Sequence, residues 1–299
     1  MKRTAVAVVA AFAFLAFSSC ASAPRASEAF LHSAIMLVNL GEFEAAIRDF
    51  SEAIRLNPNL AGAHNGRGFA RNNTGAFDLA IADFDEALRL DPGLVAAYNN
   101  RGFARNSRGE FALAVADFSA ALRLDPDFMV AYHNRGHARS YLGEFELAIA
   151  DFTEALRLNP DFSWAHFNRG RVHFRRWELD LAVSDFTSAL RLNPRNASSY
   201  HWRGNAHFRM GEFDRAISDF SGAIRLNAND AWAYFRRGHA RYRAGDVDSA
   251  ISDFSSAIRL SPNFADAHHE RGNAHYRRGE VDLAMADFEA VLRINARAR

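Results

Sequence analysis

The sequence predicts an all-α chain, an α-solenoid of eight 34-residue helix-turn-helix repeats. Asp-Phe pairs recur every 34 positions from Asp49-Phe50 to Asp287-Phe288, and glycines recur with the same period from Gly68 to Gly272. A constant period of this length indicates an array of similar units that bury their apolar faces by stacking on one another. The predicted repeats are 27–60, 61–94, 95–128, 129–162, 163–196, 197–230, 231–264 and 265–298.

The residues ahead of the first repeat have the features of an export signal. Lys2 and Arg3 precede an apolar run from Ala5 to Phe17, which is shorter than the about 20 residues that a membrane-spanning helix needs. A basic start, a short apolar run and small residues after it are typical of a secretory signal peptide. We assign residues 1–19 to the signal and 20–26 to a short tether.

The single cysteine, Cys20, directly follows this signal, in the segment Leu15-Ala16-Phe17-Ser18-Ser19-Cys20. The segment resembles the bacterial lipobox, whose cysteine receives diacylglycerol, although Phe17 stands where the family usually has leucine. This resemblance implies a lipid anchor at Cys20 in the bacterial cell envelope. Ala21, in place of the aspartate typical of inner-membrane retention, favours the outer membrane. The alternative is an ordinary signal cleaved after Ala23, a site that the following proline disfavours.

Each repeat contains the signals that start and stop two helices. Gly109-Glu110 in the third repeat marks the turn, because glycine suits the left-handed residue that ends a helix and an acidic residue favours the start of the next one. A proline then stops the second helix in six repeats. Small residues at repeat positions 8, 20 and 27, with Phe at 24, predict closely packed helical faces. The prolines are Pro58, Pro92, Pro126, Pro160, Pro194 and Pro262.

This pattern resembles the tetratricopeptide repeat family over residues 27–298. Position 4 is aromatic or His, 8 is Gly, 20 is Ala, 24 is Phe, 27 is Ala and 32 is Pro. The resemblance implies a right-handed superhelix with a concave groove lined mainly by first helices, at positions 2, 5, 6, 9, 12 and 13. It also implies a protein or peptide partner.

Arginine at position 7 is predicted to pair with Asp at position 23, because the two lie opposite each other in an antiparallel hairpin. The alternative is a row of arginines that contacts a ligand. The arginines are Arg67, Arg101, Arg135, Arg169, Arg203, Arg237 and Arg271.

The predicted groove differs between the two halves of the chain. In successive repeats, Asn100, Asn134 and Asn168 occupy position 6. This row is similar to the asparagine ladders with which some family members hold a peptide backbone, since an amide both donates and accepts hydrogen bonds. Asparagine as a tolerated surface residue is the alternative.

The second half places aromatic and arginine side chains in the groove, and these residue types anchor many interfaces. We predict a basic, aromatic groove for an acidic or extended partner, in which some rings serve packing between repeats. Asp266 and Glu270 are its acidic members. The candidate contacts are Trp164, Phe167, Arg171, Arg175, Trp202, Arg209, Trp232, Phe235, Arg236, Tyr242 and Arg243, with Phe174, Phe208, Tyr276 and Arg277 at equivalent positions.

Two further features depart from the repeat pattern. Trp177 replaces the turn glycine of the fifth repeat, and because a bulky residue is costly in a left-handed conformation, we predict a turn of changed shape there. The last helix, Val281 to Ile294, has no polar capping helix after it and is predicted to expose an apolar stripe. Self-association through this stripe is one expectation.

No motif indicates catalysis or a cofactor. Walker, dinucleotide, zinc-protease and Gly-x-Ser-x-Gly signatures are absent, and His133 and His137 lack a carboxylate or thiol to complete a metal site. The net charge of +1 gives no bulk attraction to nucleic acid. The sequence therefore predicts a non-enzymatic, lipid-anchored scaffold that binds protein partners. A scaffold that binds an anionic polysaccharide during export is the alternative.

Overall fold

The predicted all-α fold is confirmed. The computed structural model describes residues 23–297, which form sixteen α-helices and contain no strand. The predicted signal and Cys20 lie outside the described residues. The chain divides into two compact units, and the boundary in the sequence lies between Glu144 and Phe145, inside the turn of the fourth repeat. No helix in the described range is long and apolar enough to cross a membrane.

The first unit contains the helices of residues 23–144. These are α1 (Ala23–Asn39), α2 (Phe43–Leu56), α3 (Ala61–Asn73), α4 (Phe77–Leu90), α5 (Val95–Ser107), α6 (Phe111–Leu124) and α7 (Met129–Leu142). Helices that follow each other in the chain pack together. The first helices of neighbouring repeats, α1, α3, α5 and α7, also touch each other in succession.

The second unit contains the helices of residues 145–297. These are α8 (Phe145–Leu158), α9 (Ser163–Arg175), α10 (Leu179–Leu192), α11 (Ala197–Arg209), α12 (Phe213–Leu226), α13 (Ala231–Ala244), α14 (Val247–Leu260), α15 (Ala265–Arg277) and α16 (Val281–Arg297). Its first helices, α9, α11, α13 and α15, likewise touch in succession. A continuous surface of first helices therefore runs along this unit.

In six of the repeats, the core contains a phenylalanine that packs directly on a glycine. Phe220 of α12 is fully buried, and a Cβ added to Gly204 of α11 would lie 2.9 Å from its ring. Alanines complete the packing, since Ala216 and Ala240 are also fully buried beside Phe220. The absence of a side chain at position 8 therefore lets the two helices of a repeat approach closely.

The last helix exposes the predicted apolar stripe. Leu292 of α16 is 69% exposed, whereas its counterpart Leu190 in the fifth repeat is 6% exposed. Val281 and Met285 are exposed on the same helix. The difference arises because an interior second helix is covered by the first helix of the next repeat. Self-association through this surface remains a prediction.

Candidate partner-binding groove

The arginines at position 7 are framework residues. Arg203 donates to Asp219 within its repeat and to the Thr187 hydroxyl of the preceding repeat, at 2.7 Å and 3.0 Å. Each arginine thus links two repeats, which confirms the predicted ion pairing. The pairs observed inside one unit, with closest N–O distances of 2.6–2.8 Å, are Arg67–Asp83, Arg101–Asp117, Arg169–Asp185, Arg203–Asp219, Arg237–Asp253 and Arg271–Asp287.

Hydrogen bonds hold Asp185, one carboxylate of this framework, in its charged form. Burial acts to raise the pKa of Asp185, but hydrogen bonds from His166 and Arg169 outweigh it, so the pKa lies below its usual value. A hydrogen bond from His173 lowers the pKa of Glu178 in the same repeat. The negative charges of Asp185 and Glu178 are therefore paired with His and Arg side chains of the framework. They do not offset the positive charge of the groove arginines.

The asparagines of the first unit bind each other across repeats. The side-chain amide of Asn100 donates to the side-chain oxygen Oδ1 of Asn65 at 3.2 Å, and the side-chain amide of Asn134 donates in the same way to Asn99 at 3.1 Å. Each of the two donors keeps a second amide hydrogen, because the Asn side chain has two. Asn168 is buried and belongs to the second unit. The unit therefore positions the two amides of Asn100 and Asn134 at equivalent sites, held by their neighbours.

The aromatic candidates divide into buried and exposed rings. Phe167 and Phe235 are each only 6% exposed and pack against the core rings of Phe186 and Phe254. They serve packing within the repeat. The repeat position could not show this, because position 5 carries asparagine or histidine in some repeats and phenylalanine in others.

Trp164 and Trp232 lie beside these buried rings with about half of their surface exposed. Trp164 meets Phe167 edge to face at 5.8 Å between ring centroids, and Trp232 meets Phe235 in the same way at 5.7 Å. The buried rings therefore hold the two tryptophans in place on the surface.

Trp202 forms the centre of a mixed cluster between the fifth and sixth repeats. Its ring meets that of Phe174 edge to face at 5.2 Å, and the Arg171 guanidinium lies 5.5 Å from its centroid. A cation placed over an aromatic face is attracted by the ring quadrupole, most strongly where water is excluded. The cluster orders one arginine and two rings from neighbouring first helices.

Four exposed arginines, which we call the rim arginines, occupy position 13 of successive repeats: Arg175, Arg209, Arg243 and Arg277. Each guanidinium lies over a ring of the preceding repeat. The distances to the ring centroids are 4.8 Å for Arg175 over Phe145, 4.0 Å for Arg209 over Phe174, 5.4 Å for Arg243 over Phe213 and 5.3 Å for Arg277 over Tyr242.

The positive charge of this surface is largely unpaired. Within residues 23–297, no carboxylate forms a salt bridge with Arg171, Arg209, Arg236, Arg243 or Arg277. The Nε atoms of Arg171 and Arg236 are buried and donate no hydrogen bond to any described residue. Burial lowers the pKa of Arg236, and the nearby charge of Arg209 lowers it further. An anion would relieve both effects, so the surface is suited to a negatively charged ligand.

The turn at Trp177 corrects one prediction. Trp177 has φ +63°, and Gly109 at the equivalent position has φ +78°. The amide of Glu178 donates to the His173 carbonyl at 3.0 Å, which matches the bond from Glu110 to Arg105 at 2.9 Å. The predicted change of shape is therefore wrong. The surrounding helix ends hold tryptophan in the left-handed conformation, and its exposed ring lies 4.4 Å from the Arg209 guanidinium.

We expect two substitutions to separate the strain at Trp177 from its contact with Arg209. Trp177→Ala removes the ring but keeps a Cβ, so the free energy of unfolding should fall by about 0.5–1 kcal/mol, typical of an exposed cation–π contact. Trp177→Gly should be about 1–2 kcal/mol more stable than Trp177→Ala, because glycine has no left-handed penalty.

Urea unfolding followed by circular dichroism measures both differences. Gly211→Ala, at the next turn, is the matched control, since Gly211 has φ +80° and open space around its Cα. It should lose about as much stability as separates the two Trp177 variants. Equal stability of Trp177→Gly and Trp177→Ala would contradict the strain.

Among the described residues, no group of three or more His, Cys, Asp and Glu side chains is arranged so that it could hold a metal ion. His133 is a half-buried histidine, and desolvation lowers its pKa to about 4. It is therefore neutral at pH 7 and adds no charge to the surface.

Models of known protein families match most of the chain. Two models described as tetratricopeptide repeat match the chain, one over residues 31–95, 74–127, 178–231, 203–262 and 235–298, the other over 130–162. The chain belongs to the tetratricopeptide repeat family. Tetratricopeptide repeats indicate a protein–protein interaction scaffold, and proteins of this family are generally non-enzymatic. No curated protein matches the sequence.

Solved tetratricopeptide repeat structures share this fold. YrrB, described as a tetratricopeptide repeat protein with an unusual peptide-binding site, is 22% identical with a TM-score of 0.56, over 63% of this chain and 97% of its own. A tetratricopeptide repeat protein from Parabacteroides merdae is 20% identical with a TM-score of 0.61, over 87% and 99%. MamA is 25% identical with a TM-score of 0.53, over 55% and 95%.

Proposed function

We propose that the protein is a lipid-anchored adaptor of the bacterial cell envelope, which binds an extended, acidic segment of a partner protein. The binding site is the first-helix surface of residues 163–277. The observation that carries this proposal is the unpaired charge of Arg171, Arg209, Arg236 and Arg243 among exposed aromatic rings. A scaffold fold without this charge would favour no class of partner.

An acidic polypeptide suits this surface for two reasons. Carboxylates form charge-assisted, often bidentate hydrogen bonds with guanidinium groups. The exposed faces of Trp164 and Trp232 add apolar contact area of the kind that anchors interfaces. YrrB shows that a relative of this fold can carry a peptide-binding site. Asn100 and Asn134 provide further amide donors for a main chain in the first unit.

The envelope location is proposed from the sequence. A short apolar leader followed by Cys20 would place the chain outside the cytoplasm and attach it to a membrane through acyl chains on that cysteine. The small residues that precede Cys20 are those of the lipobox that it resembles.

Metabolic labelling with palmitate tests the anchor. The full chain with its leader is expressed in a bacterium, beside a Cys20→Ala variant. We expect label in the membrane fraction that depends on Cys20. A wild-type chain that is secreted, soluble and unlabelled would defeat the anchor and favour a diffusible binding protein.

Capture from envelope extracts tests the binding surface. Trp202→Ala combined with Arg209→Ala removes one rim arginine and the centre of the aromatic cluster, so retention of the partner protein should fall at least about tenfold, as for the loss of interface anchors. Arg278→Ala is the control, because Arg278 is already paired with Asp248 at 2.7 Å. If the double variant loses helicity to the same extent as it loses retention of the partner, Trp202 and Arg209 are framework residues.

A further inference from the structure

The rim arginines differ from the arginines beside them in the chain. Arg278 pairs with Asp248 and Glu280, and Arg176 pairs with Glu146 and Glu178. Among the residues that the structure describes, Arg277, one residue away, contacts the Tyr242 ring and donates to the Tyr242 carbonyl oxygen, and it pairs with no carboxylate. The fold thus neutralises Arg176 and Arg278, whereas no carboxylate among the described residues pairs with Arg209, Arg243 or Arg277. Stacking on a ring also limits the motion of each guanidinium, which lowers the entropy lost when it binds an anion.

The spacing of the rim arginines follows from helix packing. They sit at equivalent ends of α9, α11, α13 and α15, and these helices touch in succession. Packed helix axes lie about 8–10 Å apart, so we expect successive guanidinium groups to lie about that distance from each other. A ligand that pairs with several of them needs negative groups about 10 Å apart along a line.

Two extended conformations of a polypeptide can be compared with this spacing. A β-strand rises about 3.3 Å per residue and turns alternate residues to one side, which places like-facing side chains about 6.6 Å or 13 Å apart. A polyproline II helix rises about 3.1 Å per residue with three residues per turn, which places every third side chain on one side about 9 Å apart. The polyproline II spacing matches the packed helices, and the strand spacing does not.

We propose that the segment bound by the first-helix surface is a polyproline II-type polypeptide with an acidic residue at every third position, whose carboxylates pair with Arg209, Arg243 and Arg277. This inference rests on the proposed function and specifies its partner. Arg209, Arg243 and Arg277 belong to three consecutive repeats, and none of their guanidinium groups pairs with a carboxylate among the described residues. The carboxylates would approach each guanidinium from its exposed side. The contact between the guanidinium and the ring beneath it would therefore be kept.

Two synthetic peptides of identical composition test the spacing. The first repeats Asp-Pro-Ala four times, and the second places its four aspartates next to each other before the remaining residues. Binding of each labelled peptide to the full chain, purified in detergent, is measured by fluorescence polarisation at low salt. We expect the first peptide to bind at least about tenfold tighter, as for two correctly placed charged contacts.

Variants locate the contacts. Arg243→Ala combined with Arg277→Ala should weaken the first peptide at least about tenfold and the second much less. Arg278→Ala, which removes a paired arginine from the same turn, should change either affinity less than about twofold. Circular dichroism checks that each variant keeps its helices.

The remaining outcomes are distinct. Equal affinity for the two peptides would overturn the spacing while the proposed acidic partner stands. Absence of binding by either peptide, with a folded chain, would overturn the proposed acidic partner as well. An oligomeric polyuronate that binds tighter than both peptides, and loses affinity in the double arginine variant, would overturn the polypeptide in favour of an anionic polysaccharide.

Discussion

Phe220→Ala is expected to lower the free energy of unfolding by about 3–5 kcal/mol, because it empties a fully buried site in a tightly packed repeat. The Phe220 ring packs against Ala216 and Ala240 and seats on Gly204. The backbone of two helices borders the site, so relaxation can fill little of the cavity. Urea unfolding measures the loss, and hydrogen exchange at the amides of α11 and α12 shows whether it is concentrated in the sixth repeat.

A double-mutant cycle with Gly204 tests the same contact from the other side. Gly204→Ala alone should cost about 1–3 kcal/mol, because its methyl group would lie 2.9 Å from the Phe220 ring. In the Phe220→Ala background the ring is gone, so the same substitution should cost much less. Leu181→Ala, at a site that is 53% exposed, is the control and should change stability by less than about 1 kcal/mol. Additive losses at Gly204 and Phe220 would refute the proposed seating.

Asp253→Ala is expected to lower the free energy of unfolding by about 3–5 kcal/mol, since it removes a buried carboxylate and leaves two partly buried guanidinium groups without their partner. Asp253 is only 2% exposed. Arg237 donates to it at 2.7 Å, and Arg241 donates to it at 2.8 Å. The loss is large because the charges of both arginines would then lack their shared carboxylate partner.

Thermal and urea unfolding of three variants check this prediction. Asp253→Asn keeps the shape and one acceptor oxygen, so it should lose less than Asp253→Ala. Arg215→Ala removes an exposed ion pair with Glu212, in which the Arg215 side chain is 69% exposed, and should cost less than about 1 kcal/mol. A loss at Asp253 no larger than that at Arg215 would show that the buried network contributes little stability.

Contacts inside one repeat were predictable from the sequence. A residue at position 7 and one at position 23 lie opposite each other whenever a hairpin turns at positions 15 and 16, so the pairing of Arg203 with Asp219 followed from spacing alone. The same reasoning predicted the buried phenylalanine and its glycine. These predictions succeed because helix geometry fixes the register of residues that are close in the chain.

The candidate site was only partly predictable. The rings of Phe167 and Phe235 at position 5 are buried, which the sequence did not show. The arginines at position 13 were candidates from the sequence, but their stacking on rings of the preceding repeat was not predicted. The stacking of Arg209 on both Phe174 and Trp177 had no signal in the sequence. Such contacts join side chains from different repeats, and their geometry depends on how neighbouring helices cross. The period of the sequence does not specify that crossing.

The sequence by itself determined the family, the pairing of helices within each repeat and the ion pairs between them, because a strict period repeats the same local geometry. The tertiary structure alone decided which of the groove residues are buried, which asparagines bind each other and which arginines lack a carboxylate. It also decided that Trp177 keeps the left-handed turn. These properties depend on the summed packing of neighbouring repeats, which can hold a strained residue or expose a charge against its local preference.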